Sequence, residues 1–440
     1  MTLQSPKFGL SQSNRRVEDD RLLTGHGAYV DDTAPAGALH AYVLRSSVAH
    51  GEIAALDVGD ARGMPGVVAV MVAADLAAAG IANDLPTAVA RNADGSKAAN
   101  PKRPILAEGR VRFVGEPVAF VVAESLGQAR DAAEAIEVET TDLPVKMDVA
   151  EGGPAVHDLA PDNVSYRYEK GDAAACDAAL AAAAHRVTLE VDDTRIICAS
   201  LEPRGTWAEM EGGRLHVCVN GQGVWGQRDQ VADSLGMEKA DVRVTNPDVG
   251  GGFGMKAMSY PETILVAAAA KALGRPVRWM ADRSESMLSD NAGRDLVCTA
   301  ELGFDADMKI VAYRQENVAN MGAYHSGYAQ HIQSELFSKV MPGVYDVQAC
   351  HMVSVGVFTN TTQVDAYRGA GRPEAIYVLE RAMDYAAREL GVDRFELRRK
   401  SFIQPEQFPY LSAMGETYDV GDFGRVLGRA ETEGEVAGFE

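Results

Sequence analysis

The chain is 440 residues long and 46% hydrophobic, with 42 basic against 63 acidic side chains and a formal net charge of −21. That length allows two or three domains around a sizeable core, and the acidic balance, without any basic run, argues against a partner in nucleic acid or an anionic membrane surface. No apolar run approaches the 18 residues of a membrane span, no apolar signal segment precedes Arg15, and the five cysteines (Cys176, Cys198, Cys218, Cys298 and Cys350) form no Cys-x-x-Cys pair, which fits free thiols in a cytoplasmic protein.

In chain order, residues 1–13 are polar and begin an arm over 1–22, and 16–32 is rich in turn residues. Strands are predicted over 41–45 and 67–72 and a short helix over 74–79. Residues 81–103 mix Asn, Asp, Gly, Ser and Pro without a period and predict a long loop. Residues 110–123 read as a hairpin-like strand pair around Gly115-Glu116-Pro117, and 125–135 as a helix capped by Ser125 with Ala129, Ala132, Ala133 and Ile136 buried. A first α/β domain is thus expected over 23–149 and a linker over 150–163. A second domain over 164–440 should hold strands at 187–191, 205–210, 215–219, 241–245 and 275–280, and helices at 225–236, 263–273 and 282–289. A hairpin of 298–304 with 310–318 should turn at 305–309, while 324–345 shows no period. A strand-like run should lead into residue 365. The helix at 374–390 is expected to bury Ile376, Leu379, Met383 and Ala386, with Pro373 in its first turn, and a last helix lies near 423–433. The fold class is α+β.

Two stretches are dense in chemistry. Between a predicted strand and a helix, Asn246 to Lys256 packs Gly250, Gly251, Gly252 and Gly254 into five positions. Such a loop can bring N–H groups close to an anion or a flat ligand; the competing reading is a glycine-rich turn with no ligand. Lys256 is followed by Ala257 rather than Ser or Thr, so this is no P-loop, and the Gly-x-Gly-x-Gly spacing lacks the dinucleotide pattern. The second stretch is Asp365-Ala-Tyr367-Arg368-Gly369-Ala370-Gly371-Arg372-Pro-Glu374. A helix start preceded by Arg368 and two glycines suits an anion, or is an ordinary capped helix.

Further motifs join these: Leu23-Thr-Gly25-x-Gly27-x-Tyr29, Arg45-Ser46 with His50, Val114-Gly-Glu116-Pro-Val118, and Glu202-Pro203-Arg204-Gly205. In this order the whole set resembles the molybdenum-cofactor subunit of the xanthine dehydrogenase, aldehyde oxidase and carbon monoxide dehydrogenase family. The resemblance implies a hammerhead-like domain followed by the first of two molybdopterin-binding domains. It implies a molybdenum–molybdopterin cofactor, in plain or cytosine dinucleotide form, held by Gln222, Gly251, Gly252, Phe253, Gly254, Arg368, Gly369 and Ala370, with no protein atom bonded directly to the metal. Gln222 and Arg368 are the implied catalytic residues. The Gln222 amide would donate to an oxo group while staying uncharged, and Arg368 would polarise a substrate carbonyl or carboxylate. Without the resemblance, Gln222 reads as a surface amide on a strand. The implied reaction is hydroxylation of an aldehyde or N-heterocyclic aromatic with water as oxygen source and a glutamate as general base.

The sequence departs from the family at that glutamate. The family's Gly-x-Gly-Glu motif is absent, because Gly434-Glu435 has Thr432 before it and Gly415-Glu416 lies in a segment of mid-subunit type. The chain corresponds to the first part of the family's subunit. The implied partners are a second molybdopterin-domain chain supplying the glutamate, as in the split nicotinate dehydrogenase, a small 2Fe–2S subunit, an FAD subunit and a small-molecule substrate. The other readings are a truncated chain and a non-catalytic relative that binds cofactor or partner. In each case the chain alone is not expected to turn over. Arg368 is flanked by Tyr367 and Gly369 rather than a cysteine, so carbon monoxide oxidation is not expected, and Ala370 stands where the family often has an aromatic residue.

Overall fold

The computed structural model describes residues 15–438, so the expected arm over 1–13 lies outside the described residues. The turn-rich opening contains one short helix, Asp19–Leu23.

A seven-stranded sheet runs in the order Val242–Thr245, Arg214–Val219, Gly205–Glu211, Val277–Met280, Leu39–Arg45, Pro117–Ala123 and Val67–Met71. It is continuous across segments from both sides of residues 150–163, because Leu39 pairs in parallel with Val277. All seven residues of Pro117–Ala123 are buried, as a strand covered on both faces requires. Phe120 and Val122 face the core of helices Ala73–Ala78 and Pro261–Leu273, while Ala119, Val121 and Ala123 face Ala129, Ala132 and Ala133 of helix Leu126–Glu134. Ser125 caps that helix, its side chain accepting the Gln128 N–H.

The 110–123 hairpin does not form. Arg110–Val111 pairs with Gly51–Asp57 in a three-stranded sheet completed by Glu137–Asp142, whereas Pro117–Ala123 belongs to the large sheet. The residues between them bond elsewhere: Gly115 N–H donates to Ser46 C=O and Ser46 N–H to Glu116 C=O, each at 2.8 Å. Strand Gly51–Asp57 has no legible signal because half its side chains are exposed.

A five-stranded sheet follows in the order Val164–Gly171, Ala349–Phe358, Ile310–Gly322, Leu296–Phe304 and His185–Asp193. Its central hairpin is the expected one, with the Asp305 side chain accepting the Asp307 and Lys309 N–H groups. The alanine-rich helix Ala173–Ala182 lacks the polar–apolar contrast a periodic reading needs. The aperiodic 324–345 stretch contains a helical turn, Ala329–His331, continued by the π-helical Ile332–Leu336.

Helix Arg372–Leu390 packs across this sheet. Its buried stripe is Ala375, Val378, Leu379, Ala382, Met383, Ala386 and Ala387, while Ile376 is 46% exposed, contrary to expectation. One residue is a 100° step round a helix, which carries Ile376 off the stripe that Ala375 begins. The strand before it ends at Phe358, so residues 359–371 are irregular rather than a strand-like run. The last helix, Phe423–Glu433, docks through Phe423, which lies 6.3 Å from the Phe402 ring, and through a Glu431–Arg399 ion pair.

Candidate functional site

Three loops meet at one place: 220–223 after strand Arg214–Val219, 246–256 before helix Pro261–Leu273, and 365–371 before helix Arg372–Leu390. Each leaves the end of a regular element, so the sheets and helices fix where the loops can go. The Gln222 Oε1 accepts the Gly254 N–H at 2.7 Å, and the Gln222 N–H donates to Lys256 C=O at 3.2 Å. The Arg368 N–H donates to Phe253 C=O at 2.8 Å. Gln222, Gly252, Phe253, Gly254 and Arg368 are thereby one hydrogen-bonded unit.

Close approach explains two of the glycines. A Cβ on Gly252 would lie 2.6 Å from Gln222 Oε1, and one on Gly254 would lie 2.8 Å from Ala366 C=O. Phe253 is held at φ +54° with its ring 40% exposed, a left-handed conformation that costs on the order of 1 kcal/mol or more and persists where the surroundings impose it. The N–H groups of Gly251, Gly252 and Phe253, and those of Gly369 and Gly371, have no acceptor among the described residues. With Gln222 Oε1 already engaged, its amide N–H groups are likewise left to donate outward. Ala370, at φ +21°, turns its N–H back to Tyr367 C=O.

The third loop is pinned by a residue that the sequence did not single out. Buried Arg294 donates to the C=O groups of Tyr367 and Arg368 at 3.0 and 3.2 Å and to Glu374 Oε1 at 2.9 Å. It lies 4.9 Å from the Tyr367 ring. Arg294 fixes the backbone of Arg368, while the exposed Arg368 guanidinium makes no ion pair or hydrogen bond among the described residues. Nothing in the residue pattern around Asn291-Ala-Gly-Arg294-Asp295 announces this role; it arises from a long-range contact.

Behind the loops sits a buried charge network. Arg204 pairs with Glu262 at 2.8 Å and with Asp290, and Arg45 pairs with Glu262 at 2.6 Å and Glu285 at 2.7 Å. Burial alone would push the Glu262 carboxyl up, but the Arg204 and Arg45 guanidinium groups outweigh it and hold it down to about 2. The Arg204 guanidinium also stacks on Tyr260 at 3.7 Å. Beside Gln222 an open cleft of about 570 Å³ is lined by Gly223, Gly226, Ala257, Met258 and Tyr328.

The arrangement offers several N–H donors without a partner, a neutral amide and an unpaired cation on three hydrogen-bonded loops. It fits a ligand rich in acceptor oxygens and flat enough to lie against glycine backbone. Among the described residues no group of three His, Cys, Asp or Glu side chains comes together that could hold a metal ion directly.

Comparison with known proteins agrees with this geometry. The family model for the aldehyde oxidase and xanthine dehydrogenase a/b hammerhead domain matches residues 24–144, and that for the molybdopterin cofactor-binding domain matches residues 156–402. The nicotine 6-hydroxylase large subunit of Paenarthrobacter nicotinovorans is 35% identical over 94% of this chain and 51% of its own length. The carbon monoxide dehydrogenase large chain of Afipia carboxidovorans is 33% identical over 96% of this chain and 53% of its own. The crystal structure of quinoline 2-oxidoreductase from Pseudomonas putida 86 superposes with a TM-score of 0.88 at 34% identity, covering 97% of this chain and 54% of that one. The chain spans about half the length of the curated relatives it matches. With both family models matched in the expected order and all three loops inside the second match, the chain belongs to the molybdopterin-binding subunits of the xanthine dehydrogenase family.

Proposed function

We propose that this chain forms part of the active site of a cytoplasmic molybdenum hydroxylase acting on an aldehyde or an N-heterocyclic aromatic. The observation that carries the reading is the single hydrogen-bonded unit that joins the loops bearing Gln222, the free N–H groups of Gly251, Gly252 and Phe253, and the unpaired Arg368. These residues fit the pterin cofactor, because the close approach at Gly252 leaves a flat cradle of backbone donors with Gln222 at its edge. When bound, the molybdenum–pterin group supplies two-electron oxidation with oxygen drawn from water.

The chain's own residues then do three things. The free N–H groups of 251–253, with those of Gly369 and Gly371, bind and orient acceptor atoms of the cofactor, in its plain or cytosine dinucleotide form. Gln222, its carbonyl oxygen fixed by Gly254, presents an uncharged donor at a defined position. Arg368 receives a polar substrate atom, a carbonyl oxygen or ring nitrogen, and its fixed backbone limits the arc through which it searches. Relatives named for nicotine, quinoline and carbon monoxide are similar to the chain to nearly the same degree, so it is the lack of a cysteine beside Arg368 that favours an aldehyde or ring substrate over carbon monoxide.

The general-base glutamate comes, on this reading, from a second molybdopterin domain, and electrons leave through 2Fe–2S and FAD partner chains. The side chains about the site favour such a cover: Leu201 is 91%, Trp225 70% and Tyr328 59% exposed. Large apolar groups clustered at a surface mark an interface. The test is purification of the tagged chain from its native cell with whatever accompanies it. Near-stoichiometric molybdenum with iron and a second chain is expected; no molybdenum and no companion chain overturns the proposal in favour of a binding relative.

A further inference from the structure

The segment over 15–38 meets the glycine loop through two carboxylates. Asp248, two residues ahead of Gly250, binds both ends of the Arg21 guanidinium, one at 2.7 Å. It also accepts the Ala28 N–H at 2.8 Å and returns its own N–H to Ala28 C=O at 3.0 Å. Glu202 accepts the Val30 N–H on Oε1 at 3.4 Å, and on Oε2 the Gly250 N–H at 2.8 Å and Lys256 Nζ at 3.2 Å. Lys256 Nζ donates again to Glu202 C=O at 2.8 Å, and the Glu202 N–H donates to Gly250 C=O at 3.1 Å. The Lys256 C=O in turn holds the Gln222 N–H.

The contacts therefore run without a break from the N-terminal strap through Glu202 and Lys256 to Gln222. Both ends of the glycine run are gripped, Gly250 by Glu202 and Gly254 by Gln222, while the N–H groups between them stay free. The Lys256 side chain is only 1% exposed. A buried ammonium stays charged only where a carboxylate meets it, so neutralising Glu202 releases the far end of the loop as well as the near one.

We propose that Glu202 and Lys256 are positioning residues, clamped from outside by the 15–38 strap through Arg21 and Asp248, that hold Gly250–Gly254 and Gln222 in the geometry that receives the ligand. The inference rests on reading that loop as the seat of the pterin cofactor, and its test separates the two.

Hydrogen–deuterium exchange of the full chain, without cofactor, reads the clamp. Glu202→Gln is expected to speed exchange of peptides covering residues 222 and 250–256 about tenfold. Arg21→Ala, at a partly exposed pair whose loss leaves the melting temperature unchanged, is expected to speed the same peptides severalfold. The molybdenum-to-protein ratio and the Mo(V) electron paramagnetic resonance line shape of the complex from native cells read the consequence: both variants lower the ratio and broaden the line. Unchanged loop exchange in Arg21→Ala overturns the strap's role. Exchange that rises evenly over the whole chain in Glu202→Gln, with a lowered melting temperature and an unaltered line shape, overturns the positioning role and makes Glu202 merely structural. Faster loop exchange in both variants, with no metal even in wild type, upholds the clamp and removes the pterin reading instead.

Discussion

The buried charge network and the loop cluster in front of it treat the same chemical groups in opposite ways. Behind the loops, Arg204, Glu262, Glu285 and Asp290 are buried and ion-paired, and the Arg45 side chain that pairs with two of them is 7% exposed. In front, Arg368 is unpaired and the Gly251, Gly252 and Phe253 N–H groups lack acceptors. An unsatisfied polar group costs most where water is excluded, so the interior pairs its charges internally, although Asp290 Oδ2 has no hydrogen-bond partner among the described residues. The exposed loops can leave polar groups unpaired for a ligand. On the proposed function, stability and function are carried by different arginines, and mutation should separate them.

The sharpest break is Arg204→Met, which strands Asp290 and leaves Glu262 with Arg45 alone. It should lower stability by about 3–5 kcal/mol, read as a drop in the denaturant midpoint. Next is the pH dependence of buried Glu116. Burial raises its carboxyl from 4.5 to about 7, partly offset by hydrogen bonds from the Arg112 N–H and Tyr324 Oη. Because the folded value is the higher one, its contribution is full below pH 4.5 and is lost as pH rises through 7. Urea unfolding over that window should show a loss on the order of 3 kcal/mol, and Glu116→Gln should flatten it.

Smaller effects sharpen the contrast. Arg294→Lys keeps the Glu374 charge pair but cannot span two carbonyls as well; about 1–2 kcal/mol of stability should go, with faster amide exchange over 365–371. Gly252→Ala drives a methyl group into the Gln222 amide; about 1 kcal/mol should be lost, with a much larger fall in pterin content of the purified complex. Arg368→Met should change stability by less than about 0.5 kcal/mol while removing turnover of the assembled enzyme. A large stability loss there would break the division between the two regions.

The site was legible to unequal depth. Gly251 to Gly254 and Arg368 lie in stretches marked by local signals, glycine spacing and a helix start, whereas Gln222 could be named only through the family resemblance; the structure brings them together. Arg294 and the hub role of Glu202 could not, since their contacts reach across 73 and 48 residues of chain. The fold shows the same division. Ser125 begins a helix by accepting a neighbouring N–H and was readable. The 110–123 hairpin failed because Gly115 and Glu116 bond to Ser46 across a long separation. Ile376 failed because a one-residue phase error in a helix cannot be seen until the sheet beneath it is placed.

By itself the sequence determined the class, many of the elements and the family, and marked the loops proposed to carry the chemistry, all properties of short patterns read in sequence order. The tertiary structure alone decided that one sheet joins segments from both halves through Leu39 and Val277, which carbonyls Arg294 holds, and which donors remain free. The physical reason is that pairing in a sheet and satisfaction of a buried polar group depend on partners that chain folding, not chain order, brings within hydrogen-bonding reach.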